Sequence, residues 1–254
     1  MVRLKITLQY DGQAYYGWQI QEGLPSVQGA LAHALEQLVE HDVKLVGAGR
    51  TDRGVHAWGQ VAHADVAKDL TDFKFITGMN RFLPKDIRVV AVEHVGEDFH
   101  ARFSATARHY VYRLWNARVM RPDLRGHAGH VPLPLDIEAI QAAVQTLPPG
   151  EYDFKGFQDA ECNSRVSLCD LHHLRWVKES LGDSGNLWRL EIGANHFLQH
   201  MVRNIMGTLI EIGQGKRPTT GLLDVLAAQN RAQAGLTFTP DGLYLSRVVY
   251  TPEL

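Results

Sequence analysis

Cysteine is scarce. The chain has 254 residues and only two cysteines, Cys162 and Cys169. They form no CxxC pair, which excludes a disulfide framework and a cysteine-based zinc site and points to a reducing compartment. Long apolar runs are missing too. The most apolar stretch, Phe197 to Ile212, is short and carries His200, Arg203, Asn204 and Glu211, so it is no membrane span. The opening residues MVRLKITLQY lack the apolar segment of a signal peptide. A soluble cytoplasmic protein is the expectation. An excess of one charge is also absent: 26 Lys and Arg against 28 Asp and Glu leave a net −2. Proteins that coat nucleic acid by bulk charge are usually basic. Any nucleic-acid partner must therefore be met by a local patch.

What is present suits one large globular unit or two small domains, since 45% of the residues are hydrophobic and can fill a core. Residues 2–9 alternate apolar and polar, which predicts a half-buried strand. Ser26 is placed to cap a helix to about Glu40, and Thr71 another to about Phe82. Strands are predicted near 43–47, 58–66 and 87–95. The second half repeats the alternation. A strand runs through Tyr110 to Leu114, and Asp136 caps a helix to about Leu147. Strands near 165–178 and 187–193 follow, then helices near 198–213 and 219–229, and a last strand at 243–250. This order predicts an α+β protein of two similar α/β halves, 1–100 and 101–254, sharing a mixed, mostly antiparallel sheet with helices packed on it. Arg118 to Pro134 and Pro148 to Ser164 read as loop-rich tracts.

The most informative stretch is Gly47 to Ala57, GAGRTDRGVHA. It begins like a dinucleotide fingerprint, but Asp52 stands where the third glycine belongs and would repel a pyrophosphate. No Gly-Lys-Ser/Thr follows, so it is no phosphate loop. No HExxH occurs anywhere. His196 and His200 are spaced for one helical face, but Phe197 takes the place of a general base.

Asp52 lies between Arg50 and Arg53. An opposite charge within about 4–6 Å lowers a carboxylate pKa by roughly 1–3 units; spacing alone does not say whether either arginine reaches it. An aspartate kept ionised is a poor general acid. It can act as nucleophile, base or stabiliser of developing positive charge, as at the anomeric carbon of a sugar losing its leaving group. Ordinary glycosidases need a second carboxyl group, and this neighbourhood offers none. An aspartate in a glycine-rich turn also serves commonly as an Asx-turn or salt-bridge residue. Both readings stand on pattern alone.

The stretch closely resembles the signature of the tRNA pseudouridine synthase A family. Further segments resemble it in order along the chain: Tyr10-Asp11-Gly12 with Tyr16-Gly17-Trp18-Gln19; Asn80 with Leu83-Pro84 and Asp86-Ile87; Phe99 to Ala105 through Tyr110 and Tyr112; Phe197 to Ile205; and Gly242 to Leu245. The resemblance implies the pseudouridine synthase fold. It also implies isomerisation of uridine to pseudouridine in the anticodon stem-loop of tRNA, at nucleotides 38–40, without cofactor or metal. The N-glycosidic bond breaks, the uracil turns and a C–C bond forms, so no second carboxyl group is needed to activate water. Residue by residue, the resemblance makes Asp52 the catalytic aspartate, by attack on the sugar or by promoting glycal formation. Arg50 matches the motif arginine, and Tyr110 the tyrosine that contacts the target base. Arg165 matches an arginine expected to pair with the aspartate, and Leu245 the apolar floor of the pocket. It further implies a homodimer that binds tRNA.

Six arginines (102, 108, 113, 118, 121 and 125) against Asp123, with Lys216 and Arg217, form the candidate basic patch for phosphate contacts. A uridine within a stem must be everted to be reached, at a few kcal/mol. The competing readings are a catalytically inactive tRNA-binding protein of the same fold and a glycoside hydrolase.

Overall fold

In a computed structural model of the chain, the structure describes residues 1–159, 166–180 and 186–251. The strands are β1 (Val2–Tyr10), β2 (Val46–Gly47), β3 (His56–Val66), β4 (Ile87–Val95), β5 (Ala107–Asn116), β6 (Gly129–Val131), β7 (Gly150–Asp153), β8 (Leu168–Glu179), β9 (Leu187–Ala194) and β10 (Leu243–Val249). The helices are α1 (Val27–Val39), α2 (Asp72–Phe82), α3 (Ile137–Gln145), α4 (Met201–Gly213) and α5 (Gly221–Ala228). None among the described residues is long and apolar enough to cross a membrane. The chain divides into two compact units, Met1–Thr106 with Tyr244–Leu254, and Ala107–Leu243.

In the first unit the strand order is β4-β1-β3-β10, with β2 on β3. β1 is antiparallel to β3 and β4, whereas β10 runs parallel to β3 through Tyr244↔His56 and Leu245↔Ala57. The alternation of β1 does what it predicts: Leu4, Ile6 and Leu8 are fully buried, each contributing about 1.5–3 kcal/mol. Ser26 and Thr71 cap α1 and α2 by accepting the N–H of Gly29 and of Lys74. Gly78 lets the two helices close up, since a Cβ there would meet Leu38 at 2.6 Å. Arg3 grips Asp65 with two nitrogens (2.7 and 2.8 Å) and donates to the carbonyls of Glu97 and, at 2.9 Å, Phe99. It thereby fastens the segment after β4 to the sheet.

His63 on β3 is buried and accepts the N–H of Ala101 on Nδ1 (3.1 Å). Burial first, then the charges of His100 and Arg3, push its pKa down to about 4. The unfolded chain binds this proton near pH 6.5 and the folded one does not, so His63 erodes stability as the pH falls from about 6.5 to 4, by on the order of 2 kcal/mol. Urea unfolding across this window should show the loss, and His63→Gln should lose less on acidification than the wild type.

In the second unit the order is β5-β9-β8-β7, with β6 parallel to β5 and the other neighbours antiparallel. The α+β class with mixed, mostly antiparallel pairing matches the sequence expectation. α4 is buried along most of its length. Its Asn204 donates to the Phe157 carbonyl (2.8 Å) and accepts from Thr237 Oγ1 (2.6 Å) and Arg231 (3.0 Å). This satisfies a polar side chain that would otherwise be costly inside a core.

Several sequence expectations need correcting. The tract 118–134 contains β6 and the tract 148–164 contains β7, each too short to show periodicity. The strand expected over 43–47 is reduced to β2. α4 starts at Met201, with His200 at φ 60 before it. His196 and His200 therefore do not share a helical face. His196 faces Cys169 (Nε2 to Sγ 3.4 Å), and His200 faces Asp159 (2.6 Å).

Candidate active site

Asp52 sits in the loop between β2 and β3, half-buried. The loop is held by what precedes it in sequence. Tyr10, the last residue of β1, shares a buried hydrogen bond with Thr51 Oγ1 (2.8 Å). The Thr51 carbonyl accepts the N–H of Trp18 (3.0 Å). Gln60 on β3 donates to the Gly49 carbonyl (2.9 Å), and Ala48 donates to the Val61 carbonyl (2.7 Å). Burial pushes the Tyr10 phenol up to about 12, against the lowering effect of its bonds to Thr51 and Gln60. It is therefore a neutral hydrogen-bonding group at any physiological pH.

Beyond Asp52 the chain turns at once. Val55 N–H donates to the Asp52 carbonyl (3.1 Å), and Gly54 between them has φ +78, the sign a type II turn requires at its third residue. Gly54 N–H reaches back to the Tyr15 carbonyl (3.3 Å). The 10–19 segment lies so close to the loop that two of its positions admit no side chain. A Cβ on Gly12 would collide with the Val55 carbonyl, and one on Gly17 with the Thr51 carbonyl. Asp52 is thus carried between two residues, Thr51 and Val55, whose own backbones are fixed.

The two arginines flanking Asp52 differ. Arg53 lays its guanidinium over the Tyr16 ring, 4.2 Å from the centroid, a cation–π contact that further ties the loop to the 10–19 segment. Arg50 is exposed. His56, at the start of β3, is buried and accepts the N–H of Gly12 on Nδ1 (3.1 Å). Its ring stacks on Tyr244 (4.5 Å), which stacks in turn on Trp58 (4.3 Å). Leu245, next to Tyr244, is fully buried and pairs with Ala57. The first unit therefore holds Asp52, Arg50 and Leu245, with Leu245 on the strand beside the loop's exit.

Tyr110 belongs to the second unit. It is half-buried on β5, and its ring meets Phe197 edge-on at 4.9 Å. Tyr112, two residues on, is fully buried and donates its hydroxyl to the Thr239 carbonyl (2.7 Å). Of the two tyrosines on this strand, Tyr112 is the packing residue. Arg165 lies outside the described residues, as does Cys162.

Another constellation of nucleophile type fails on chemistry. Cys169 Sγ is 3.4 Å from His196 Nε2, and His196 Nδ1 is 3.0 Å from Asn195 Oδ1. Burial pushes the Cys169 thiol up to about 12, so it stays protonated and inert. The basic patch is also thinner than the sequence count. Arg113 is taken up by Glu179 (2.7 and 3.1 Å), Arg121 by Asp123 (2.8 Å), and Arg217 by Glu211. Arg108 donates to the Asn195 carbonyl (2.9 Å). Arg118 and Arg125 are exposed.

Sequence reasoning gave no role to Thr51, His56, Gly12, Gly17 or Gln60. Thr51 and His56 stood inside the singled-out stretch and the two glycines inside a resembling segment, so only their function as supports was illegible. Gln60 carried no signal.

Comparison with known proteins gives concordant matches. A family model described as tRNA pseudouridine synthase matches residues 6–104 and 143–251. Relatives named tRNA pseudouridine synthase A include one from Bordetella petrii, 43% identical over 100% of this chain and 93% of its own length. Another, from Coxiella burnetii, is 42% identical over 100% and 95%. A third, from Bradyrhizobium diazoefficiens, is 42% identical over 98% and 100%.

Proposed function

Since the chain belongs to the tRNA pseudouridine synthase family, we propose that it isomerises uridine to pseudouridine in the anticodon stem-loop of tRNA, at nucleotides 38–40, with the Asp52 carboxylate as the catalytic group. The observation that carries this reading is the construction of the Asp52 loop. A chain that needed only a turn would not spend a buried Tyr10–Thr51 hydrogen bond and two glycines under close contact on it. Such immobilisation is what a reaction at a single carbon requires.

In this reading the carboxylate meets C1′ of an everted nucleotide. Attack there and promotion of glycal formation both need the same ionised oxygen. The base then turns and bonds through C5, and the C5 proton leaves. Tyr110 contacts the uracil face, Leu245 floors the pocket, Arg50 holds RNA near the loop, and Arg165 pairs with the aspartate. Incubation with unmodified tRNA carrying tritium at uridine C5, followed by nucleoside mapping, tests the reading: tritium should be released in step with pseudouridine, and its retention would refute the activity. The accompanying homodimer is checked by sedimentation equilibrium.

The charge pairing sets a further expectation. Each phosphate neutralised adds about 0.7–0.9 to the slope of log affinity against log salt. Binding of tRNA should weaken steeply with salt, and Arg118→Gln and Arg125→Gln should each reduce the slope by about one. Arg113→Gln should leave the slope unchanged, because Arg113 already faces Glu179. Equal slopes in all three variants would remove Arg118 and Arg125 from the RNA contact.

A further inference from the structure

Phe103 follows Arg102 in the turn after β4, and its side chain is 77% exposed. The turn is tightly made. His100 Nδ1 accepts the N–H of both Arg102 and Phe103 (3.2 Å each), Ser104 Oγ accepts the N–H of His100, and the His100 carbonyl accepts the N–H of Ser104 (both 2.9 Å). The turn is also anchored to the sheet that carries the Asp52 loop. Ala101 donates to His63 and accepts from the Tyr250 hydroxyl (2.9 Å), and it packs with Ala48 and Val61. An exposed phenyl ring gains nothing from water, yet this turn fixes one outward. The His100 ring backs it (4.4 Å), and the Arg102 guanidinium lies 5.5 Å from its centroid.

We propose that Phe103, with Arg102 beside it, is a stacking platform for a nucleobase of the bound RNA. The inference rests on the tRNA reading above. Charge separates this ring from the other highly exposed phenylalanine. Phe73, 73% exposed, follows Asp72 at the start of α2, where Asp69 and Asp72 line the surface with His94; carboxylates there repel phosphate. Phe103 has an arginine and a histidine as ring companions, so a base can stack on the ring while its phosphate meets the guanidinium. Because every base has a π-face, such a platform adds affinity without reading sequence.

The test compares the affinity of the full chain for an unmodified tRNA transcript at fixed salt in wild type, Phe103→Leu, Phe103→Trp and Phe73→Leu. Leucine keeps the apolar bulk and removes the π-face, whereas tryptophan keeps both. Phe103→Leu should bind about tenfold more weakly or worse, the size of one lost base–aromatic stack. Phe103→Trp and Phe73→Leu should bind like the wild type, and all four should melt alike. Wild-type affinity in Phe103→Leu, or an equal loss in Phe73→Leu, overturns the platform. A change of sedimentation mass in Phe103→Leu overturns it too, by assigning the ring to a contact between copies. A wild-type chain that fails to bind tRNA or form pseudouridine would instead refute the parent reading.

Discussion

Asp52→Asn is expected to abolish pseudouridine formation while leaving tRNA affinity close to that of the wild type. Asparagine fills nearly the same volume but carries no negative charge, so it can neither attack C1′ nor take a proton. The bonds named above that hold the loop use the Asp52 carbonyl, the Thr51 hydroxyl and carbonyl, and the N–H groups of Gly54 and Val55. None of these uses the Asp52 carboxylate, so each of them survives the substitution. Loss of a group on which the reaction depends typically costs about 10⁴-fold or more. Single-turnover tritium release checks it: a rate within tenfold of wild type would take the chemistry away from Asp52. Binding of tRNA by the unmutated chain with no turnover of its own would favour the catalytically inactive reading.

Gly17→Ala should have the next largest effect, although it alters no group that touches substrate. Gly17 has φ +90, and an added methyl would strike the Thr51 carbonyl and come within 3.0 Å of the Asp52 carbonyl carbon. Left-handed backbone costs about 1–2 kcal/mol for an L side chain, and overpacking costs about 1–3 more. A melting temperature about 5–10 °C lower is expected. Turnover should fall about 100-fold, because a displacement near 1 Å is enough to spoil an attack geometry. Gly23→Ala separates the two causes. Gly23 also has a positive φ (+72) but nothing within 4 Å of its added Cβ, so it should cost only the backbone strain and leave turnover intact. Equal losses in both variants would mean that contact with the loop is immaterial.

Much of the fold was legible because local rules governed it. Ser26, Thr71 and Asp136 each accept the capping N–H expected of them, and β4 spans Ile87–Val95, the bounds expected of it. β6 and β7 were illegible because three or four residues carry no period, and they exist only through their neighbours Leu114–Asn116 and Leu168–Leu171. α4 begins later than its apolar pattern because His200 takes a left-handed backbone that no periodicity forecasts. At the candidate site, residue types and spacing singled out Asp52 and its loop. The clamp from Tyr10, Gly12 and Gly17 depends on contacts some 40 residues apart in sequence. Charge counting overstated the basic patch because Glu179, 66 residues from Arg113, neutralises that arginine; a linear count cannot see such pairing.

The parallel pairing of β10 with β3 also orders events in time. The first unit is interrupted in sequence, leaving at Thr106 and completed only by Tyr244 onward. On the ribosome, where domains generally form in the order they emerge, the amino-terminal portion must wait for the last strand to leave the exit tunnel. The contiguous 107–243 stretch is entirely synthesised beforehand. The loop bearing Asp52 thus gains its Leu245 neighbour only after the whole of the second unit has been synthesised.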